Sequence, residues 1–262
     1  MHDEQMDHLS WVAYEECLRD PRTIVLLPVG ALEQHGPHLP LGTDALLAAA
    51  VARSVARAVT SACGTAAVVA PTINYGYKSQ PRCGGGQHFP GTTSLDGSTL
   101  SALTCDIIAE LARHGVRNVA LVSGHYENQW FLIEGIDLAR RRLGLASPLR
   151  VMRLEYWDFL AEATLKEVFP DGFPGFALEH AAVIETSLML HYFPELVGID
   201  KLPPEPTVDF PPYDMYPPHT HWVPSSGVLS SARGASSEKG RCMADDVCNR
   251  IVSALRTEFI DG

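Results

Sequence analysis

Short apolar runs alternate with amphipathic stretches through the first half of the chain, and this alternation restricts the fold more than any other feature. The apolar runs have the length of buried strands, and the stretches between them carry apolar residues at helical spacing. The pattern predicts strands over Thr23–Val29, Ala66–Ala70, Asn118–Val122 and Leu149–Leu154, and helices over Asp44–Ser61, Asp96–His114 and Asn128–Arg142. Such alternation requires crossover connections, so we predict an α/β fold with a mainly parallel central sheet flanked by helices on both faces.

The pattern changes after the fourth predicted strand. We expect helices over Tyr156–Val168, Glu179–Tyr192 and Ser236–Phe259. The stretch Pro203–Pro224 holds eight prolines in 22 residues and cannot form regular structure. Its aromatic residues favour a packed surface loop or a contact between subunits. We find no internal repeat and expect a single domain over residues 1–262, since this length and 46% hydrophobic residues suffice for a full core.

The composition restricts the classes of partner. The net charge is −11, from 20 basic and 31 acidic residues, so the chain lacks the basic surface that nucleic-acid binding requires. The six cysteines are scattered without a CxxC pair, which is typical of reduced thiols in a cytoplasmic protein. No secretory signal is expected at the start, and no apolar run approaches the ~20 residues of a membrane-spanning helix.

Two polar segments follow predicted strands and are rich in metal-ligand residues. EQHGPHLPLGTD, residues 33–44, follows the first strand, and GHYEN, residues 124–128, follows the third. Ligands of open α/β sheets collect beyond the carboxyl ends of the strands, so we expect the two segments to face one another. Residues two apart in an extended stretch point the same way, which pairs Glu33 with His35 and His125 with Glu127.

The side chains in these segments favour a metal centre. They offer imidazole nitrogen and carboxylate oxygen without thiolate, a set that suits Zn²⁺ or Mn²⁺ better than Ca²⁺. Five ligands exceed what one tetrahedral ion takes from protein, whereas two ions bridged by one carboxylate use five and leave a position for water. The five candidates are Glu33, His35, Asp44, His125 and Glu127. His38 is better explained as a structural hydrogen-bonding residue.

A third segment, EHAAVIETSLML at residues 179–190, carries two further polar candidates. Glu185 lies in an apolar stretch, and a buried carboxylate needs a partner. His180 and Glu185 are five residues apart, so on one helix they would not share a face. They cooperate only if His180 lies at the helix start or in the preceding loop. The glycine-rich stretch Cys83–Gly97 matches no phosphate-binding pattern, and its His88 is interpreted as structural.

Together these segments resemble the motifs of one known protein family. The run LPVGALEQHGPHLPLGTD resembles the signature of the creatininase family of metal-dependent amidohydrolases, and GHYEN is a more specific sign. The stretches NYGYKSQ, GGGQHFPGTTSLDG, EYWDF and FPPYDMYP are also similar to that family. The resemblance runs from about Thr23 to the end of the chain.

The resemblance implies a role for each matching residue. Glu33, Asp44 and His125 would bind one metal, and His35, Asp44 and Glu127 the second, with Asp44 as the bridge. His180 would be the catalytic proton carrier, with Glu185 near the activated water. The family is a cytoplasmic hexamer that holds Zn²⁺ together with Zn²⁺ or Mn²⁺. Residues that match substrate-pocket positions are Ser79, Tyr126, Trp157 and Phe176.

One departure concerns the substrate. The family carries a Trp-Asp pair on the mobile loop before the EH, where this chain has Phe176 and Ala177. Phe176 can still stack on a flat ring, but the carboxylate is lost. The expected activity is the reversible hydrolysis of creatinine to creatine, and another lactam, a cyclic guanidino compound or a formamido-pyrimidine remains an alternative substrate. A non-catalytic protein with structural metals is the rival from another class, although open coordination positions favour catalysis.

Overall fold

The structure is a computed structural model that describes residues 4–80, 86–144, 146–204, 206, 208 and 210–262. The first residues of the Cys83–Gly97 stretch, and three positions within Pro203–Pro224, lie outside the described residues. The strands are β1 (Ile24–Val29), β2 (Ala67–Val69), β3 (Asn118–Ser123) and β4 (Arg150–Glu155). The α-helices are α1 (Trp11–Leu18), α2 (Thr43–Cys63), α3 (Gly97–Arg113), α4 (Gln129–Leu143), α5 (Glu162–Val168), α6 (Val183–Tyr192) and α7 (Ser237–Leu255).

The four strands form one parallel sheet in the order β2-β1-β3-β4. Successive side chains of a strand point to opposite faces, and both faces of β1 are apolar. Ile24 and Leu26 pack into a core with α2, α6 and α7, whereas Val25 and Leu27 pack into a second core with α3 and α4. The predicted α/β fold, with a parallel sheet between two helical layers, is confirmed.

By length and composition alone, helix α2 could cross a membrane. This differs from the sequence-based expectation that no apolar segment is long enough to do so. Half of its apolar window is buried inside the molecule. The helix packs against β1, β2 and α7, and its apolar face supplies the centre of one core. Its composition is therefore explained by its place in the core.

The last helix, expected over Ser236–Phe259, ends at Leu255 and continues as a π-helical turn over Arg256–Ile260. Three other elements differ from the sequence prediction. Helix α1 was not predicted, and the Ser10 side chain accepts a hydrogen bond from Ala13 N–H at its start. The helix predicted over Tyr156–Val168 is divided into a 3₁₀ turn, Tyr156–Phe159, and α5. Helix α6 begins only at Val183, four residues later than predicted, so the residues 179–182 form a turn.

Candidate metal centre and active site

The carboxyl ends of β1 and β3 lie side by side, at the point where the strand order reverses. Val29 pairs with Ser123, and Gly124 N–H donates to the Val29 carbonyl at 2.8 Å. A Cβ on Gly124 would lie 2.3 Å from the carbonyl oxygen of Asp44, so the missing side chain lets the start of α2 approach. The predicted meeting of the 33–44 and 124–128 segments at this edge is confirmed.

Two histidines present one nitrogen each to the centre of this region. His35 Nδ1 donates to the Glu33 carbonyl at 3.2 Å, which leaves Nε2 facing Asp44. His125 Nε2 donates to the Tyr77 carbonyl at 3.0 Å, which leaves Nδ1 facing the carboxylates. A backbone carbonyl that binds one ring nitrogen fixes the tautomer in this way for metal-ligating histidines.

Asp44 joins two sets of candidate ligands. Its Oδ1 lies 2.9 Å from His35 Nε2, and its Oδ2 lies 3.0 Å from His125 Nδ1. One set with Asp44 is Glu33, Asp44 and His125, and the other is His35, Asp44 and Glu185, beside a third set without Asp44 that consists of Glu33, His35 and His180. Within each set, the ligand atoms lie within 4.8 Å of one another. The arrangement fits two cations that share one carboxylate.

The residues present also fit divalent cations in their chemistry. Among the described residues, His35 Nε2 and Asp44 Oδ2 are buried and lack a hydrogen-bond partner. The carboxylates of both sets are largely buried, with Asp44 at 1% and Glu33 at 3% exposed. Buried carboxylates need a compensating charge, and a nitrogen and oxygen donor set suits zinc or manganese.

The protein without cations can supply part of that charge from its histidines. Burial alone would lower the pKa of His35, but Asp44 and Glu185 together raise this pKa well above its usual value. The pKa of His125 is likewise raised against the effect of burial, mainly by Glu33. Burial favours a raised pKa at Glu33, yet the charge of His125 holds this pKa well below its usual range. The site is thus built for positive charge.

Glu185 completes the second set in this structure, and the predicted ligand Glu127 lies nearby. Glu127 Oε2 lies 3.4 Å from His125 Nε2, the ring nitrogen on the far side from Asp44. Residues 125–127 are not extended as their predicted pairing requires, because Tyr126–Asn128 forms a 3₁₀ turn. Burial raises the pKa of Glu127, whose Oε1 accepts from Gln80 N–H at 3.1 Å. Glu127 therefore lies beside the two sets, and its role as a metal ligand stays a prediction.

His180 lies in the turn before α6, which satisfies the condition for its cooperation with Glu185. Its ring packs on His35 with centroids 4.4 Å apart, and its Nδ1 lies 3.9 Å from Glu33 Oε1. Glu185 Oε2 accepts a hydrogen bond from Ala181 N–H at 2.6 Å. Burial and the charge of His35 lower the pKa of His180, so its imidazole is neutral near pH 7.

A cavity of about 440 Å³ opens onto these residues. The predicted pocket residues Tyr126, Trp157 and Phe176 line it, as do Glu127 and His180. Its lining combines aromatic side chains with carboxylates, which is typical of a site that binds a small and partly polar molecule.

Ser79, a predicted pocket residue, contacts the candidate metal ligand Glu33. It is buried, and its hydroxyl donates to Glu33 Oε2. The residue that lines the cavity from this segment is its neighbour Gln80. Ser79 therefore orients a candidate metal ligand, and its contact with substrate stays a prediction.

Several cavity residues were missed from the sequence. Phe210 and Pro211 bring the proline-rich segment to the cavity wall, where its aromatic content was the only signal. Glu179 also lines the cavity, and burial raises its pKa to about 8. Of the two histidines interpreted as structural, His38 is buried and bonded to Thr186 Oγ1 at 3.0 Å, and His88 is exposed beside Phe89.

Comparison with known proteins gives a consistent result. A family model described as "Creatininase: Creatinine amidohydrolase" matches residues 7–255. The creatinine amidohydrolase of Pseudomonas putida is 47% identical over 254 residues, which cover 96% of this chain and 95% of the relative.

Three solved creatininase structures are each 45% identical and cover 99% of this chain and 100% of their own. A manganese creatininase and a Glu-to-Gln variant of the Zn–Zn type superpose with a TM-score of 0.94, and a Glu-to-Gln variant complexed with creatine superposes with 0.93. The match over nearly the whole chain, together with the shared fold, shows that this protein belongs to the creatininase family.

Proposed function

We propose that this protein is a dinuclear metal-dependent hydrolase of a cyclic amide, and that its reaction is the reversible hydrolysis of creatinine to creatine. The observation that carries the proposal is Asp44, whose two oxygens face one free imidazole nitrogen each at the floor of a cavity. A relative that is 47% identical is a creatinine amidohydrolase, and a related creatininase binds creatine.

Two divalent ions per subunit would be held by this chain. Glu33, Asp44 and His125 would hold one, and His35, Asp44 and Glu185 the other. We propose Zn²⁺ at one site and Zn²⁺ or Mn²⁺ at the other, since both metals occur in related structures. When bound, such ions lower the pKa of water towards neutrality and polarise a carbonyl oxygen.

The protein's own side chains orient those ligands. Ser79 holds Glu33 Oε2, and the Ala181 N–H holds Glu185 Oε2, so each carboxylate keeps its other oxygen for the site. The backbone carbonyls of Glu33 and Tyr77 hold the two imidazoles. These four ligands are therefore fixed before a cation arrives, which lowers the entropy lost on binding.

The aromatic walls bind and cover the substrate. A planar five-membered ring can stack between Trp157 and Phe176, and Tyr126 is exposed at the cavity mouth. Phe210 and Pro211 close another side of the same cavity. A wall of this kind excludes water, and electrostatic interactions at the floor are stronger in the drier environment.

His180 carries the proton that amide hydrolysis has to move. A neutral imidazole accepts a proton from the attacking water and then donates it to the leaving ring nitrogen. Its Nδ1 faces the ligand sets, 3.9 Å from Glu33 Oε1, and is the atom placed for this transfer. Ring closure of creatine uses the same groups in reverse.

A second candidate substrate class follows from the cavity wall. Ala177 lines the cavity and has no polar group, in place of the family's lid carboxylate. Another lactam, a cyclic guanidino compound or a formamido-pyrimidine would not need that carboxylate. This alternative keeps the metal centre and the proton carrier and changes only the ring that is recognised.

The test is direct conversion of substrate. Metal-loaded protein is incubated with creatinine and, separately, with creatine, and ¹H NMR follows the approach to one equilibrium mixture from both sides. Chelation should abolish conversion and zinc or manganese should restore it, with the far-UV circular dichroism unchanged. Absence of conversion in both directions by the metal-loaded protein would refute creatinine as the substrate, and a panel of cyclic amides would then identify the ring.

The oligomeric state, the domain boundaries and the cellular location are proposed from the family resemblance. We propose a homohexamer located in the cytoplasm, with residues 1–262 as one domain. Large apolar side chains on the surface, such as Trp11 at 76% and Trp130 at 69% exposed, are candidates for subunit contacts. The described cysteines are all unpaired, as expected in a reducing compartment. Native mass spectrometry would report a sixfold mass, and a monomer or dimer at micromolar concentration would contradict the assembly.

A further inference from the structure

Gln34 lies between two candidate metal-ligand residues, but its side chain is directed towards His180. The residue is 5% exposed. Its Oε1 accepts from Gly36 N–H at 3.0 Å, and its Nε2 donates to the Gly227 carbonyl at 2.9 Å. A backbone N–H can only donate and a carbonyl can only accept, so the amide cannot be flipped.

The same residue offers both a donor and an acceptor to one nitrogen of His180. Gln34 Nε2 lies 2.9 Å from His180 Nε2, and the backbone carbonyl of Gln34 also lies 2.9 Å from that nitrogen. For Nδ1 to accept a proton, the ring must already carry a proton on Nε2, and this N–H donates to the Gln34 carbonyl. The bond is kept when Nδ1 is protonated as well, so the ring orientation is held in both states and Nδ1 stays on the side of Glu33.

We propose that Gln34 is a positioning residue for proton transfer by His180. The inference rests on the proposed function, because His180 must receive and release a proton at Nδ1 without turning. A catalytic group has to keep its geometry within about 10–20° to remain productive. The Gln34 carbonyl accepts from Nε2–H in the neutral ring and in the imidazolium, and the side-chain bonds to Gly36 and Gly227 hold this carbonyl in place between the two proton-transfer steps.

Gln34 is itself held by its surroundings. Its backbone N–H donates to Thr92 Oγ1 at 3.1 Å. Gly227 has a φ of +78°, and a Cβ at this position would lie 1.7 Å from Gln34 Oε1. A side chain at residue 227 would thus displace the Gln34 amide, which gives a second way to perturb the contact with His180.

The test compares three variants of the metal-loaded full chain. Gln34→Met keeps the length of the side chain and removes its donor, and Gly227→Ala displaces the amide while Gln34 remains. Gln87→Met is the matched control, because Gln87 is exposed and its side chain contacts Ser94 outside the cavity. Metal content is measured for each variant beside kcat and KM for the amide that the wild-type protein hydrolyses.

We expect Gln34→Met and Gly227→Ala to lower kcat by roughly 10- to 100-fold, the usual effect of removing a group that orients a functional histidine. KM should change by less than about twofold, since the interaction acts on a proton-transfer step. Both metals should be retained, and the control should behave as the wild type. Unchanged kcat in Gln34→Met, or a loss of kcat matched by an equal loss of metal, would overturn the proposal.

A crystal structure of metal-loaded Gln34→Met separates this inference from the proposed function. The proposal predicts a His180 ring that is rotated or present in two orientations, whatever the substrate is. A ring in the wild-type orientation, with its Nδ1 on the same side, would reject the positioning role. A wild-type protein inactive on creatinine would reject only the proposed substrate.

Discussion

Replacement of Glu185 by glutamine is the change that best discriminates between two assignments of the second metal site. Glu185 uses both carboxylate oxygens: Oε2 accepts from Ala181 N–H at 2.6 Å, and Oε1 faces His35 Nε2 at 3.7 Å. Glutamine has one oxygen and an NH₂ group. The variant therefore either leaves the Ala181 N–H unpaired or presents an N–H donor to the cation, and it loses a negative charge in both cases.

The size of the effect follows from these contacts. An unsatisfied buried N–H costs about 1–3 kcal/mol. Even groups that only orient a metal ligand change metal affinity by 10- to 100-fold, so loss of a direct ligand should weaken the second site by at least roughly 100-fold, or about 2.7 kcal/mol. Glu127→Gln should weaken metal binding by less than about tenfold, because Glu127 lies beyond the ring of His125 and its bond from Gln80 N–H survives in the amide.

The assay is zinc titration of metal-free protein against a chromophoric chelator, followed by elemental analysis after dialysis. The wild type and Glu127→Gln should retain two equivalents per subunit and Glu185→Gln one. Glu179→Gln is the matched control, because Glu179 lines the same cavity but belongs to neither ligand set. One equivalent in Glu127→Gln together with two in Glu185→Gln would refute the reasoning and support Glu127 as the ligand that the family resemblance implies.

Three further predictions concern neighbouring residues. His180→Ala should keep both metals and lower kcat by roughly 10²- to 10⁴-fold, and a normal kcat in steady-state assays would remove His180 from the mechanism. Burial raises the pKa of Glu179 from 4.5 to about 8, so the folded state keeps a proton that the unfolded chain loses and stability should fall as the pH rises between these values. In urea unfolding, Glu179→Gln should remove up to about 5 kcal/mol of this pH-dependent loss in the free energy of unfolding. The control Glu162→Gln changes an exposed residue and should keep the loss. An unchanged loss in Glu179→Gln would contradict the account of a buried, protonated Glu179. Ala177→Asp should raise kcat/KM for creatinine by roughly 10- to 100-fold if the lost lid carboxylate limits recognition, and no gain over Ala177→Leu would show that it does not.

The central fold could be predicted because its signals are local. The strands are continuous apolar runs between polar segments, and the observed bounds of β1 and β3 lie within one residue of those predicted. Once the sheet is parallel, its topology brings the ends of these strands together, so the meeting of Glu33, Asp44 and His125 follows from the sequence. Helix α1 is hard to predict because its eight residues bury only Cys17 and leave the apolar Trp11 and Val12 exposed.

The second half of the site depends on tertiary contacts that no spacing rule reveals. The start of α6 is set by two side chains that cross, since Glu179 accepts from Ile184 N–H at 2.8 Å and Glu185 accepts from Ala181 N–H. Ala181 takes a φ of +56°, a conformation that residues with a side chain rarely adopt. This turn directs Glu185 to His35, whereas a continuous helix from Glu179 would not have done so. The sequence gives no sign of such an exception to residue preference.

The most direct test of the two-metal centre is an anomalous diffraction experiment on crystals of the zinc-loaded protein. Difference maps from data collected above and below the zinc absorption edge should show two peaks per subunit, both in contact with Asp44. One peak should also contact Glu33 and His125, and the other His35 and Glu185. A single peak, or peaks that do not touch Asp44, would contradict the account of a carboxylate shared by two ions.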